Sequence, residues 1–153
     1  MKKYLLMLLA LVAVAVGAAA QNSVKWRTAV RMVSPTEGEV TVRAIIPEGF
    51  HMYGTKAVQG GPVATTFNYD GSTGVEFSGK TAFSPAPVSG MDEAFGTELQ
   101  WWTGRVAFTR KFRVTDAAKA RIAISVKYMM CNGANCMPPR TENIVINADK
   151  LKQ

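Results

Sequence analysis

Cys131 and Cys136 are the only thiols of this chain, with four residues between them in the run Tyr128-Met129-Met130-Cys131-Asn132-Gly133-Ala134-Asn135-Cys136-Met137-Pro138-Pro139. A disulfide closing so short a loop removes little unfolded-state entropy, about 2 kcal/mol in the chain-entropy account against about 4.7 kcal/mol for a 100-residue loop. As a staple it is weak. A short bridge across a turn is also easily drawn away from relaxed disulfide geometry, which makes it reducible and suits a bond that is repeatedly made and broken. A local hairpin disulfide without a redox role is the plain alternative, and the spacing leaves both readings open.

Such a bond needs a compartment that permits it. Lys2 and Lys3, the apolar residues 4–17, and Ala18-Ala19-Ala20 before Gln21 have the layout of a secretory signal peptide. The apolar run is shorter than the roughly 20 residues of a spanning helix, and no cysteine follows it to carry a lipid. The expectation is a cleaved signal at 1–20 and a single mature domain at 21–153, soluble and periplasmic, with no membrane insertion after cleavage. Thiols are not kept reduced there by default.

Removing the signal takes two lysines with it, so the formal charge falls from +7 to +5. The remaining cations are spread along candidate strands, with no basic run interleaved with stacking aromatics, so a solvated strand face explains them better than nucleic-acid binding. A mature length of 133 residues fits one domain burying roughly two-thirds of its unfolded surface.

Those elements follow from period-two alternation. Val24, Trp26, Val30 and Met32 fall on one face of a strand whose other face carries Lys25, Arg27 and Arg31. The same pattern runs through Val40, Val42, Ala44 and Ile46, through Val106, Phe108, Phe112 and Val114, through Ile122, Ile124, Val126 and Tyr128, and through Ile144 and Ile146. Strands of this length between Gly/Pro/Asn/Ser turns predict an all-β, antiparallel sandwich. The one helix-like stretch, residues 116–120, is long enough for one or two turns at most. Asn132-Gly133 predicts a turn between the cysteines. Pro138 and Pro139 lack the N–H that a ladder needs, so pairing should fail just past Cys136 and leave that region accessible before a strand entering near Ile144.

Other chemistries have less behind them. Two cysteines and one distant histidine fall short of a closed zinc site, and no cofactor is expected. Met129, Met130 and Met137 crowd thioethers around the thiols, with His51 and Met52 elsewhere, a donor set that suits Cu(I). A copper carrier is therefore the second reading, although methionines flanking strands are more often packing material. An inert binding module with a local disulfide is the third. His51 reads as a packed or surface side chain rather than a base. Trp101 and Trp102 should face opposite sides of a strand, one in the core and the other free to contact a partner.

The residues leading from Val126-Lys127-Tyr128 into Cys131, Cys136 and Pro138-Pro139, followed by a final strand, resemble the end of the N-terminal periplasmic domain of the DsbD reductant-transporter family. Upstream, Gly49-Phe50-His51-Met52-Tyr53 is similar to that family's aromatic segment, and Met91-Asp92-Glu93-Ala94-Phe95-Gly96 is similar to the cap loop that shields its cysteines. The resemblance implies an immunoglobulin-like sandwich that exchanges disulfides with thioredoxin-fold periplasmic proteins; a monomer is expected. Because no membrane helix follows the domain in this chain, it implies a separate membrane electron donor. Cys136 would form the mixed disulfide with the partner and Cys131 would resolve it. Asp92 and Glu93 match the cap acids and Phe95 a cap aromatic, with Tyr53 and Tyr128 in the site's surroundings. Ala94 stands where the family's cap carries a covering phenylalanine, so either Phe95 shields the pair or the shielding is weaker.

Overall fold

Alternation of apolar and polar side chains is what the backbone obeys almost everywhere. The computed structural model describes residues 23–151; the expected signal peptide at 1–20 and the two ends of the expected 21–153 domain lie outside the described residues. Among the described residues twelve strands run in the order β1 (Lys25–Met32), β2 (Glu37–Ile45), β3 (His51–Tyr53), β4 (Thr66–Asn68), β5 (Val75–Ser84), β6 (Val88–Asp92), β7 (Thr97–Trp102), β8 (Arg105–Val114), β9 (Arg121–Tyr128), β10 (Met130–Asn132), β11 (Asn135–Cys136) and β12 (Arg140–Asn147). A short 3-10 turn, Ala148–Leu151, follows.

They form three antiparallel sheets, ordered β1-β2-β8-β5, β12-β9-β4 and β11-β10-β3-β7-β6. Val40, Val42 and Ala44 of β2 and Val106, Phe108 and Phe112 of β8 are buried against Ile122, Ile124, Val126 and Tyr128 of β9 and Ile146 of β12. The polar alternates of these strands point to solvent, which is how a two-layer sandwich reads in sequence. Phe108 anchors the interior, with ring centroids 4.6 Å from Phe67 and 5.2 Å from Trp102. The sandwich is all-β and antiparallel, as the alternation predicts, and immunoglobulin-like, as the resemblance implies.

The helix-like stretch at 116–120 is a turn instead. Asp116 Oδ1 accepts hydrogen bonds from the N–H groups of Ala118 and Lys119, at 3.0 and 3.3 Å, so a side chain satisfies locally what a helix would satisfy with backbone.

The five-stranded sheet carries the cysteines, and its two faces do different work. Met52, Trp102 and Met130 point into the main core. Their neighbours Tyr53, Trp101 and Cys131 belong to a second, smaller cluster with Leu99, Phe95, Met129 and Cys136. Strand periodicity thus sends alternate residues of β3, β7 and β10 to the core and to the cysteines. A one-residue slip of β10 would put Met130 in place of Cys131.

Candidate functional site

The cysteines sit on a two-residue hairpin. Cys131 on β10 and Cys136 on β11 are directly opposed, Asn132 pairs with Asn135, and Gly133 and Ala134 make the turn. Gly133 has a φ of +56°, the left-handed value a tight hairpin wants at its first turn position, which glycine adopts without a Cβ clash. The predicted loop is therefore a hairpin, and the opposition of the two residues brings their sulfurs into a disulfide with Cα atoms 4.0 Å apart. Pairing past Cys136 ends after one backbone bond, from Met137 N–H to Met130 C=O at 2.8 Å. Pro138 and Pro139 are exposed, as expected of residues that cannot join a ladder.

The two sulfurs are unequal. Cys131 is fully buried, while Cys136 is half-buried on β11, the edge strand of its sheet. Cys131 is covered by Tyr53, whose hydroxyl lies 3.0 Å from Cys131 Sγ and 3.9 Å from Cys136 Sγ. The same hydroxyl lies 2.9 Å from Asp92 Oδ2. A phenol has one proton to donate, and a carboxylate is a far stronger acceptor than a disulfide sulfur, so the proton goes to Asp92. Once the disulfide is reduced, a Cys131 thiol can donate to the phenol oxygen, and a Cys131 thiolate can draw the phenol proton toward itself.

Asp92 ends β6 and is buried, with its side chain 3% exposed. Its Oδ1 accepts from the N–H groups of Ala94 and Phe95, each at 3.0 Å, and its C=O accepts from the N–H of Gly96 at 2.8 Å. One carboxylate thus folds the cap turn and faces Tyr53 at once. Gly96 closes the turn with a φ of +61°, a backbone that side-chain-bearing residues avoid. Phe95 packs edge-on against Tyr53, with centroids 5.8 Å apart. Beside Ala94, Phe95 is partly buried and packs against the cluster of Tyr53, Leu99 and Cys131. Burial, then the hydrogen bond and charge of Asp92, pushes the Tyr53 pKa well above its ordinary value of 10.0, so the phenol is a neutral bridge.

Of the expected site residues, Cys131, Cys136, Tyr53, Asp92 and Phe95 converge. Glu93 is on the cap but exposed, with no ion pair among the described residues. Tyr128 goes elsewhere: it lies buried in the main core, edge-on to Trp26 at 5.4 Å. It is three residues from Cys131, but alternation turns it to the opposite side. The methionines also part company, Met129 beside the cysteines and Met130 with its cross-strand neighbour Met52 in the main core.

His51, expected as a packed or surface side chain, stands beside the cysteines in the fold. It is the register partner of Cys131, its ring packs edge-on to Tyr53 at 5.0 Å and at a tilt to Trp101 at 5.4 Å, and its Nε2 lies 3.3 Å from Asp92 Oδ2. That separation is short enough for an ion pair, while Nε2 is buried and makes no hydrogen bond of good geometry among the described residues. The signal for it was the spacing His51-x-Tyr53, which puts both rings on one strand face. Trp102 is the core tryptophan, its Nε1–H donating to the Pro85 C=O at 2.9 Å, and Trp101 covers His51.

A protein-family model described as "Thiol:disulfide interchange protein DsbD, N-terminal" matches residues 20–148. The chain belongs to the DsbD N-terminal family. The described structure resembles the N-terminal periplasmic domain of ScsB from Proteus mirabilis, with a TM-score of 0.62 and 15% identity over 85% of this chain and 48% of that one. It also resembles the reduced N-terminal domain of DsbD from Neisseria meningitidis, with a TM-score of 0.51 and 21% identity over 78% of this chain and 83% of that one. At these identities the likeness is one of fold, and the chain spans about half the length of the ScsB domain. No curated protein matches it. Membership of the DsbD N-terminal family, together with the Cys131–Cys136 disulfide, supports thiol–disulfide exchange in general terms.

Proposed function

We propose that this domain works in the periplasm after removal of residues 1–20, as a monomeric domain at 21–153 that carries two electrons from a separate membrane donor to thioredoxin-fold proteins. The observation that carries this reading is the inequality of the sulfurs: Cys136 on an edge strand, Cys131 one strand further in, beneath Tyr53 and Phe95.

In the reduced domain the Cys136 thiolate attacks one sulfur of the partner's disulfide, and the partner's other sulfur leaves as a thiolate. Cys131, as thiolate, then attacks Cys136 Sγ. The Cys131–Cys136 bond forms, the mixed disulfide breaks, and its electron pair leaves with the partner's second sulfur. Two electrons have moved and the partner is a dithiol. Asp92 shapes the cap and holds Tyr53 against Cys131, Phe95 shields the pair, and Glu93 presents a negative charge on the outer side of the cap.

The trap experiment tests the order of attack. Cys131→Ser, with no resolving thiol, should accumulate a covalent complex with a thioredoxin-fold protein on a non-reducing gel, whereas Cys136→Ser should trap far less. Equal trapping by the two variants contradicts the assignment.

A further inference from the structure

The resolving step has a proton to dispose of. Cys131 is fully buried and must ionise before it attacks. Tyr53 bridges its sulfur to Asp92 Oδ2, and that carboxylate is itself nearly closed to solvent. The same Oδ2 faces His51 Nε2 at 3.3 Å. Of the groups touching Asp92, the imidazole has the exit: its side chain is 16% exposed against 3% for the carboxylate.

Nε2 is a buried nitrogen with no hydrogen-bond partner, set against an oxygen that carries lone pairs. In the neutral tautomer that carries its proton on Nδ1, Nε2 is an acceptor facing a carboxylate oxygen, and a proton arriving between them makes the bond after a small rotation of the ring. In that tautomer the facing pair is one proton short of a hydrogen bond.

Resting on the exchange reading above, we propose that His51 is the proton outlet of the resolving step, taking through Tyr53 and Asp92 the proton that Cys131 loses as it attacks the mixed disulfide. The Cys131 S–H proton passes to the Tyr53 oxygen while the phenol's own proton passes to Asp92 Oδ2. The proton on Asp92 then moves to His51 Nε2, giving an imidazolium that sheds a proton to water from its other ring nitrogen, Nε2 itself being buried. The electron pair left on Cys131 forms the new S–S bond, and the partner departs as a thiolate. The side-chain hydrogen-bond contacts to the two sulfurs come from Tyr53, not His51. His51 is a positioning and proton-accepting residue acting through Asp92.

The groups facing His51 agree with an acceptor. Asp92 from β6 and Tyr53 from its own strand are the titratable ones, Cys131 is its register partner on β10, and Trp101 from β7 brings no charge. Burial, outweighing the pull of Asp92, holds the His51 pKa below the ordinary 6.5, so the ring rests neutral and able to accept near pH 7.

A chromogenic aromatic disulfide, dithiobisnitrobenzoate, resolves the two steps. Mixed with reduced protein, it frees one coloured thiolate when Cys136 attacks and a second when Cys131 resolves. In wild type the ratio of second-release to first-release rate should fall as pH drops below 6.5 and His51 takes up a proton. His51→Gln should lower that ratio about 10-fold or more near pH 7 and remove the inflection. Added imidazole should restore part of the rate to His51→Ala, which a purely structural role for the ring would not allow. A flat wild-type ratio through that window, or a His51→Gln protein that matches wild type at every pH, overturns the inference and leaves the exchange reading standing. A wild-type protein that frees only one equivalent overturns both.

Discussion

The hydroxyl of Tyr53 stands 3.0 Å from Cys131 Sγ and only 3.9 Å from Cys136 Sγ, so one tyrosine distinguishes two sulfurs of the same disulfide. The distinction comes from register. Tyr53 and Cys131 lie on neighbouring strands of one sheet, on the face turned away from the main core, and Cys136 lies one strand further out at the edge.

The cap should depend on Asp92 for its shape. Asp92→Ala leaves two N–H groups and a phenol without their acceptor in a buried place, a loss of about 1–3 kcal/mol. Denaturant unfolding should show that loss, and alkylation of the reduced pair should quicken several-fold as the 93–96 turn opens. Asp92→Asn, which retains an oxygen for the two N–H groups, should lose less stability. An alkylation rate unchanged in Asp92→Ala would show that the turn does not cover the thiols.

Stability should fall at both ends of the pH scale for stated reasons. Burial and Asp92 favour the neutral phenol of Tyr53, so its folded pKa lies above 10.0; this contribution is whole below pH 10 and is lost as pH climbs through the raised value. For His51 the folded pKa lies below 6.5, so its contribution is whole above that value and is lost as pH falls through the lowered one. Melting temperatures followed across pH should therefore turn down on the acid side below 6.5, and Tyr53→Phe should have a shallower alkaline limb than wild type. Identical alkaline limbs would mean that Tyr53 ionises freely.

Copper carriage and exchange make different demands on the methionines. If the domain is an exchanger, replacing Met129, Met130 and Met137 with Leu should leave Cu(I) competition against a chromogenic chelator where an ordinary dithiol puts it. Met130 is buried in the core beside Met52, so Met130→Leu is a near volume-conserving change costing less than about 1.5 kcal/mol. A large loss of Cu(I) affinity on replacing the methionines would favour the copper reading.

The sandwich was legible where one face of a strand is buried and the other wet. Val40-Thr41-Val42-Arg43-Ala44 and Ile122-Ala123-Ile124-Ser125-Val126 announce themselves because every second side chain must enter the core. β5 does not, since Val75–Ser84 is largely exposed and breaks register between Ser78 and Ala82, leaving little alternation to read. The cysteines, the Asn132-Gly133 turn and the two prolines were legible as local chemistry. His51 was not, because what makes it part of the site is a non-local pairing of β3 with β10 and the arrival of Asp92 from β6. Tyr128, which the resemblance set in the site's surroundings, is turned by strand alternation to Trp26 and the core.

The reduction potential of the Cys131–Cys136 pair, obtained by equilibrating the folded protein against glutathione or dithiothreitol and counting thiols after acid quench, tests the central claim most directly. An exchange-active bond should titrate between about −300 and −120 mV. A potential below about −300 mV, or a bond that dithiothreitol cannot open while the domain stays folded, would mark it as a structural clamp and contradict the account.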